Sequence, residues 1–255
     1  MLGKFSENKQ ISYYMTDRNL KLKLSFLAEL LQDLAIDHSD SLGYSLKCLE
    51  GMNKGWIISN WHIIIDSMPS YGDNVRLETW SSLCRGFSAE RSYDVCDATG
   101  KPVIRAASRW VVLDMEKRGI VRIPQGMSDD YKSGLGPAIE NERYRMPKPE
   151  GEPVSEFEAI VRRSETDSNG HTNNTQYIAW ATDMVPSEIY NEYDCRDLRV
   201  VYKKESYMGE KIKAKNYIRD IEGDKEFITF LVNADDESIL HCQVAAIWKK
   251  DNAEA

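Results

Sequence analysis

The sequence has no pairable cysteines, no long apolar run and no surplus of positive charge, and each absence removes a class of function. Its five cysteines, Cys48, Cys84, Cys96, Cys195 and Cys242, are odd in number and never spaced C-x-x-C. That pattern supports neither a disulfide framework nor a zinc site, and it fits a reducing compartment. No stretch approaches the roughly 18 apolar residues of a spanning helix. The opening MLGKFSENKQ lacks the apolar core of a secretory signal, and it is too short to read as a transit peptide. The expectation is a cytoplasmic protein with no membrane partner. Lys and Arg number 33 against 41 Asp and Glu, a formal charge of −8, which argues against general nucleic-acid binding. An acidic partner would have to dock on a local basic patch. No G-x-S-x-G elbow is present, and Ser133-Gly-Leu-Gly136 lacks the Lys-Ser/Thr of a phosphate loop. No metal or cofactor is called for.

What is present reads as an ordinary globular chain, 42% hydrophobic and 29% charged over 255 residues. A strand-like segment, Ile11 to Tyr14, leads into Thr16-Asp17. Leu27, Leu30, Leu31 and Leu34 then recur at i, i+3, i+4 and i+7, the mark of a helix with one buried stripe. Strand patterns follow at Trp56–Asp66, Asn74–Cys84, Phe87–Cys96 and Val103–Asp114, separated by turns such as Ser70-Tyr-Gly-Asp73. From Pro124 to Pro153 the character changes. Five of the eight prolines fall there, and the stretch reads as a linker long enough to be partly ordered. The pattern then restarts: a strand at Glu156–Arg163, and a helix with Tyr177, Ile178, Ala181, Met184 and Val185 on one face, stopped by Pro186. Strands close the chain at Leu198–Glu205, Glu210–Asp220, Glu226–Ala234 and Ile239–Lys249.

The two halves are an internal repeat. Thr16-Asp-Arg-Asn-Leu-Lys21 aligns with Thr166-Asp-Ser-Asn-Gly-His171, and Pro69-Ser-Tyr-Gly-Asp73 with Ser206-Tyr-Met-Gly-Glu210. Strand, helix and four strands occur twice. The expected fold is therefore α+β, a tandem (double) hotdog in which each half wraps an antiparallel sheet around a long helix. The expected divisions are residues 1–123, a linker at 124–153, and 154–255.

The second copy opens its helix with Asp167-Ser-Asn169-Gly-His171-Thr-Asn173-Asn174. Helix capping accounts for one or two of these polar residues but not for the whole group. The first copy keeps Asp17 and Asn19 but has Lys21 in place of the histidine. An imidazole that can take and return a proton near neutral pH is thus confined to the second half. Glu205 aligns with Met68, so a carboxylate accompanies the histidine, the make-up of an acid–base pair. Charge runs such as Lys203-Lys204-Glu205 are usually solvated faces, and the repeat asymmetry is what favours function here. His38, His62 and His241 are isolated and read as core or surface residues. The six tryptophans read as packing.

These residues resemble the fatty acyl–acyl carrier protein thioesterases of plants and bacteria, which are tandem hotdog enzymes. The first half carries Trp56-Ile-Ile-Ser-Asn-Trp-His-Ile-Ile-Ile-Asp66, then Pro69, Gly72-Asp73 and Thr79-Trp80, then Arg105 to Asp114 closing at Ile123-Pro124. In the second half, Asp167 to Asn174 with Tyr177 is similar to the family's D-x-N-x-H-x-N-N-x-x-Y motif. The resemblance implies hydrolysis of acyl–acyl carrier protein, with Asp167, Asn169, His171 and Glu205 as the catalytic set. Plant members often have cysteine after that glutamate; here it is Ser206, which weakens any cysteine-nucleophile mechanism. Their plastid-import extension is not seen in this sequence, which fits a bacterial member. The implied partner is a transiently bound, acidic acyl carrier protein bearing its acyl chain on 4′-phosphopantetheine. Arg162, Arg163, Lys203 and Lys204 are candidate docking residues. The acyl chain is expected in the first half, under the helix of Leu27 to Leu34. Alternatives on the same scaffold are an acyl-CoA thioesterase, a 3-hydroxyacyl thioester dehydratase and a non-catalytic acyl binder. Chain-length preference, water or Asp167 as nucleophile, and monomer or homodimer stay open at this level.

Overall fold

The computed structural model describes residues 3–139 and 146–250. The chain divides into two compact units, residues 1–143 and 144–255. In the first, the described strands are β1 (Phe5–Gln10), β2 (Lys54–Ile65), β3 (Asn74–Arg85), β4 (Ser88–Cys96), β5 (Pro102–Asp114) and β6 (Gly119–Val121), with helices α1 (Leu24–Ser41), α2 (Leu46–Gly51) and α3 (Gln125–Asp130). In the second they are β7 (Ser155–Ile160), β8 (Tyr193–Tyr202), β9 (Lys211–Ile221), β10 (Asp224–Asn233) and β11 (Leu240–Lys250), with α4 (Asn174–Asp183) and α5 (Ser187–Glu192).

The first unit's sheet runs β1-β3-β4-β5-β2 and the second unit's runs β7-β9-β10-β11-β8, the same order strand for strand. Every pairing within each unit is antiparallel. Register agrees as well. Gln10 faces Asn74 as Ile160 faces Lys211, and Ile65 faces Ile104 as Tyr202 faces Cys242. The repeat is therefore structural, and residue 16 pairs with 166, residue 69 with 206.

Helix α1 forms where the leucine period demands, burying Leu24, Leu27, Leu31, Leu34, Ala35 and His38 along one stripe. Truncating one of those leucines to alanine costs about 2–5 kcal/mol. Helix α4 is shorter. It buries Tyr177, Ile178 and Ala181, with Val185 buried just beyond and Met184 half-buried. Its end is fixed by Asn216 on β9, whose Nδ2 donates to Met184 O at 3.2 Å while its Oδ1 accepts from Thr229 Oγ1 at 3.1 Å.

Three details differ from the sequence reading. The first strand lies earlier than Ile11–Tyr14. Phe5–Gln10 pairs with β3, and Tyr13–Met15 is a 3₁₀ turn with Tyr13 and Tyr14 exposed. As an edge strand its polar residues face water, so alternation gave no signal. Strand β8 stops at Tyr202, three residues before Glu205, because the N–H groups of Lys203 and Lys204 both turn onto His241 O (2.8 and 3.3 Å). Finally, the 124–153 stretch, expected as a partly ordered linker, contributes side chains to the first unit's core. Met127 and Tyr131 join Leu49, Ala89, Val112 and Ile123 in a cluster. Trp80 Nε1 donates to Gly136 O at 2.7 Å, and Ser133 Oγ donates to Ser81 O at 2.6 Å.

Candidate active site

The motif Asp167–His171 folds as a tight turn built on one carboxylate. Asp167 Oδ1 accepts the N–H groups of Asn169 (2.8 Å) and His171 (3.1 Å). Asp167 N–H donates to His171 O at 2.8 Å, and Gly170 N–H to Asp167 O at 3.0 Å. Closing the turn puts residue 170 at φ +76°, a region glycine enters freely. Thr172 N–H then donates to Ser206 O at 2.8 Å, and His171 pairs with Tyr207 as an isolated antiparallel bridge.

That bridge sets the register between the two segments that carry His171 and Glu205. Counting outward from His171–Tyr207 sets Glu205 opposite Asn173. Because side chains alternate along extended backbone, His171, Asn173, Glu205 and Tyr207 share one face, and Thr172 and Ser206 share the other. Contacts agree. The His171 ring meets Tyr207 edge to face, with centroids 5.1 Å apart. On the opposite face, Thr172 Oγ1 and Ser206 Oγ are 2.6 Å apart. His171 and Glu205 are half-buried, while Asp167 and Asn169 are exposed. At the start of α4, Asn173 caps the helix by accepting Thr175 N–H at 3.1 Å. The positive end of the helix dipole therefore lies next to His171 in the chain.

The first unit repeats the turn without the histidine or the glutamate. Asp17 Oδ1 accepts Asn19 N–H (2.8 Å) and Lys21 N–H (3.0 Å), Asp17 N–H donates to Lys21 O (2.9 Å), and Leu22 N–H donates to Pro69 O (2.8 Å). Leu20 takes the left-handed position at φ +60°. Asp17 and Asp167 thus do the same backbone job. The differences lie elsewhere: Lys21 against His171, and Met68 against Glu205.

Several more polar residues around the second turn, none of them among the four expected catalytic residues, join its hydrogen-bond network. Ser206 is 0% exposed, and its Oγ lies 2.6 Å from both Thr172 Oγ1 and Tyr177 OH. Burial pushes the Tyr177 phenol well above its usual range, partly opposed by its bond to Ser206, so it stays protonated. Tyr202, half-buried with its phenol also raised by desolvation, donates from OH to Asn174 O at 3.0 Å. His241, read as a bland histidine, is buried behind the Glu205 turn with Nδ1 3.1 Å from Lys204 O. The repeat alignment could have exposed all of these, because their counterparts are apolar.

Among the described residues no cluster of His, Cys, Asp and Glu is arranged to hold a metal ion, and no helix is long and apolar enough to cross a membrane. Arg162, Arg163, Lys203 and Lys204 are exposed on segments that flank the turn and Glu205 in sequence.

Comparison with known proteins bears on the family and the fold. Residues 3–131 match the Acyl-ACP thioesterase N-terminal domain and residues 150–250 the Acyl-ACP thioesterase C-terminal domain. The chain is 26% identical over 217 residues to the chloroplastic oleoyl-acyl carrier protein thioesterase 1 of Arabidopsis thaliana, covering 79% of this chain and 60% of that protein. It therefore spans about 60% of the length of that curated relative. An acyl-ACP thioesterase structure from Bacteroides thetaiotaomicron superposes with a TM-score of 0.85 at 24% identity, covering 96% of this chain and 98% of that one. The 12:0-ACP thioesterase of Umbellularia californica gives 0.86 at 17% identity, covering 97% and 94%. At these identities the structures establish the fold, the tandem hotdog. Two domain matches in order, one on each half of the repeat, make this chain a member of the acyl-ACP thioesterase family.

Proposed function

We propose that this protein hydrolyses the thioester of fatty acyl–acyl carrier protein, releasing a free fatty acid and ending chain elongation. The observation that carries the reading is the contrast between two turns with the same hydrogen-bond pattern: both keep the aspartate that folds them, and only the second adds His171 and, on the segment bridged to it through Tyr207, Glu205. Domain matches along both halves, and the hydrolase names of the curated relatives, support the same activity.

In this mechanism Glu205 and His171 hold a water against the thioester carbonyl carbon, and the water proton passes to that pair as the C–O bond forms. The oxyanion is met by Asn169 and by the N–H groups at the start of α4. When the C–S bond breaks, His171 returns a proton to the departing pantetheine thiolate. Asp167 is assigned to positioning rather than attack, since one of its oxygens already holds two backbone N–H groups, as Asp17 does where no chemistry is expected. The first unit is assigned to the acyl chain, against α1. Arg162, Arg163, Lys203 and Lys204 are assigned to the acidic carrier, whose charge they complement. A cytoplasmic home is favoured by five cysteines that are all free.

The test is release of free thiol from medium- and long-chain acyl–acyl carrier proteins and the matching acyl-CoAs, by wild type and His171→Ala. Carrier-selective hydrolysis that falls by roughly two or more orders of magnitude in the variant is expected. No thiol release from any substrate would refute the hydrolase reading and turn attention to dehydration or binding.

A further inference from the structure

The buried face of the bridge behind His171 and Glu205 carries three hydroxyls that the hydrolytic scheme does not use. Ser206 Oγ is 2.6 Å from Thr172 Oγ1 and 2.6 Å from Tyr177 OH. All three residues are at most 4% exposed. Thr172 also donates its N–H to Ser206 O at 2.8 Å and its hydroxyl to the same oxygen at 3.3 Å. Each member sits beside a site residue or on its helix: Thr172 follows His171, Ser206 follows Glu205, and Tyr177 lies on the first turn of α4.

The first unit shows what the fold alone requires at these positions. Thr172, Ser206 and Tyr177 correspond to Leu22, Pro69 and Leu27, all buried. There the same turn closes with the same backbone bond, Leu22 N–H to Pro69 O at 2.8 Å. An apolar trio is therefore sufficient for the architecture, and burying three hydroxyls has a desolvation cost that only their mutual bonds offset. A second anchor follows the same rule. Val103, whose carbonyl accepts the N–H groups of Asp66 and Ser67, is replaced by His241, whose carbonyl accepts those of Lys203 and Lys204 and whose ring also reaches Lys204 O. In the second unit the segment carrying Glu205 is thus gripped from both sides by directional bonds.

We propose that Ser206, with Thr172 and Tyr177, is a positioning residue of the thioesterase site: a buried hydroxyl clamp that fixes the spacing and rotation of Glu205 relative to His171. The proposal rests on the reading of those two as the acid–base pair. Apolar packing tolerates sliding of a strand end by fractions of an ångström, whereas two hydroxyl bonds of 2.6 Å do not. Displacement of about 1 Å can cost a hundredfold in rate. Ser206 does not touch substrate in this scheme and forms no covalent adduct.

The experiment compares Ser206→Ala, Ser206→Cys, Tyr177→Phe and the Ser206→Ala/Tyr177→Phe double variant with wild type and His171→Ala. It uses the full chain and an acyl–acyl carrier protein that the wild type hydrolyses. The expected result for Ser206→Ala and Tyr177→Phe is a kcat roughly ten- to a hundredfold lower with KM within about twofold, since groups met only in the transition state are misplaced. The double variant should lose no more than the worse single one, because both break one clamp. Ser206→Cys, which keeps a polar group of similar shape, should recover part of the loss. Thermal unfolding of each variant separates this from damage to the fold, as a merely structural role would lower Tm and leave kcat of the folded fraction intact. If His171→Ala is inactive while Ser206→Ala and Tyr177→Phe keep kcat within threefold, the clamp is refuted and the hydrolase reading stands. If His171→Ala retains wild-type activity, the underlying reading fails first. An acyl adduct on Ser206, seen by intact mass after rapid quench, would overturn the positioning role in favour of attack by serine.

Discussion

Lowering the pH should destabilise the first unit through a single histidine, and the size of the effect follows from its surroundings. His38 lies on the buried stripe of α1, 6% exposed, stacked against Phe5 and edge-on to Tyr131. Arg91 on β4 reaches it with Nη1 at 2.7 Å from Nδ1. A guanidinium can only donate, so Nδ1 accepts and the ring is the neutral Nε2–H tautomer. Protonation would remove that bond and set two cations together in the core. Burial, and then the Arg91 charge, lower the His38 pKa from 6.5 to about 4. The folded state therefore resists a proton that the unfolded chain accepts. Stability is fully present above pH 6.5, is lost as the pH falls, and levels off below about 4. Over the whole window the loss is about 3 kcal/mol at 1.36 kcal/mol per pKa unit, and most of it lies between pH 7.5 and 4.5. His38→Gln keeps an acceptor for Arg91 and does not titrate. Urea unfolding of both proteins at the two pH values cancels the carboxylates they share. The wild type should lose about 2–3 kcal/mol relative to the variant. A wild-type-minus-variant difference that stays flat within about 0.5 kcal/mol would refute the reasoning, since it would mean the ring titrates as if in water.

Three further outcomes follow from the site. Asp17→Ala and Asp167→Ala should each lower stability by about 1–2 kcal/mol, because each deletes the acceptor of two backbone N–H groups. Only Asp167→Ala should also reduce kcat, read by the same thiol assay. In a single turnover in oxygen-18 water the label should enter the fatty acid and not the Asp167 carboxylate, and label in that carboxylate would establish attack by Asp167. Lys203→Glu with Lys204→Glu should raise KM for carrier-bound substrate about tenfold at low salt, less as salt screens the charges. A carrier-free thioester should be unaffected, and equal effects on both substrates would remove these lysines from docking.

The fold was legible because its periods were strong and were stated twice. Leu27 to Leu34 marked α1, and most strand patterns survived to within a residue or two in β2–β5 and β9–β11. What escaped notice lacked a period. The edge strand Phe5–Gln10 is polar after Phe5, and α2, α3 and α5 are six-residue helices whose existence depends on packing rather than propensity. The segment after Pro124 looked like linker by composition, yet Met127 and Tyr131 complete a core. Of the site, His171 and Glu205 were legible as departures from the first copy. Where the β8 strand ends was not. Tertiary bonds to His241 O set it, and no local pattern in Leu198–Glu205 records a partner some forty residues away.

A chain that folds the same unit twice contains its own control. Positions kept in both units, such as Asp17 with Asp167 and the left-handed Leu20 with Gly170, report what the turn needs, and their presence near a histidine is weak evidence of chemistry. Positions polar in one unit and apolar in the other report what the fold does not need. By that criterion Asp167 moves toward architecture, although it stands first in the motif. Thr172, Tyr177, Ser206 and His241 move toward function, although no sequence motif singles out their contacts. The criterion has a physical basis: a buried hydroxyl or imidazole in place of leucine, proline or valine must recover its lost hydration through directional bonds. Directional bonds fix geometry to a degree that dispersion contacts do not. On the proposed reading an acid–base pair needs that fixity and an acyl-binding half does not, and the asymmetry falls accordingly.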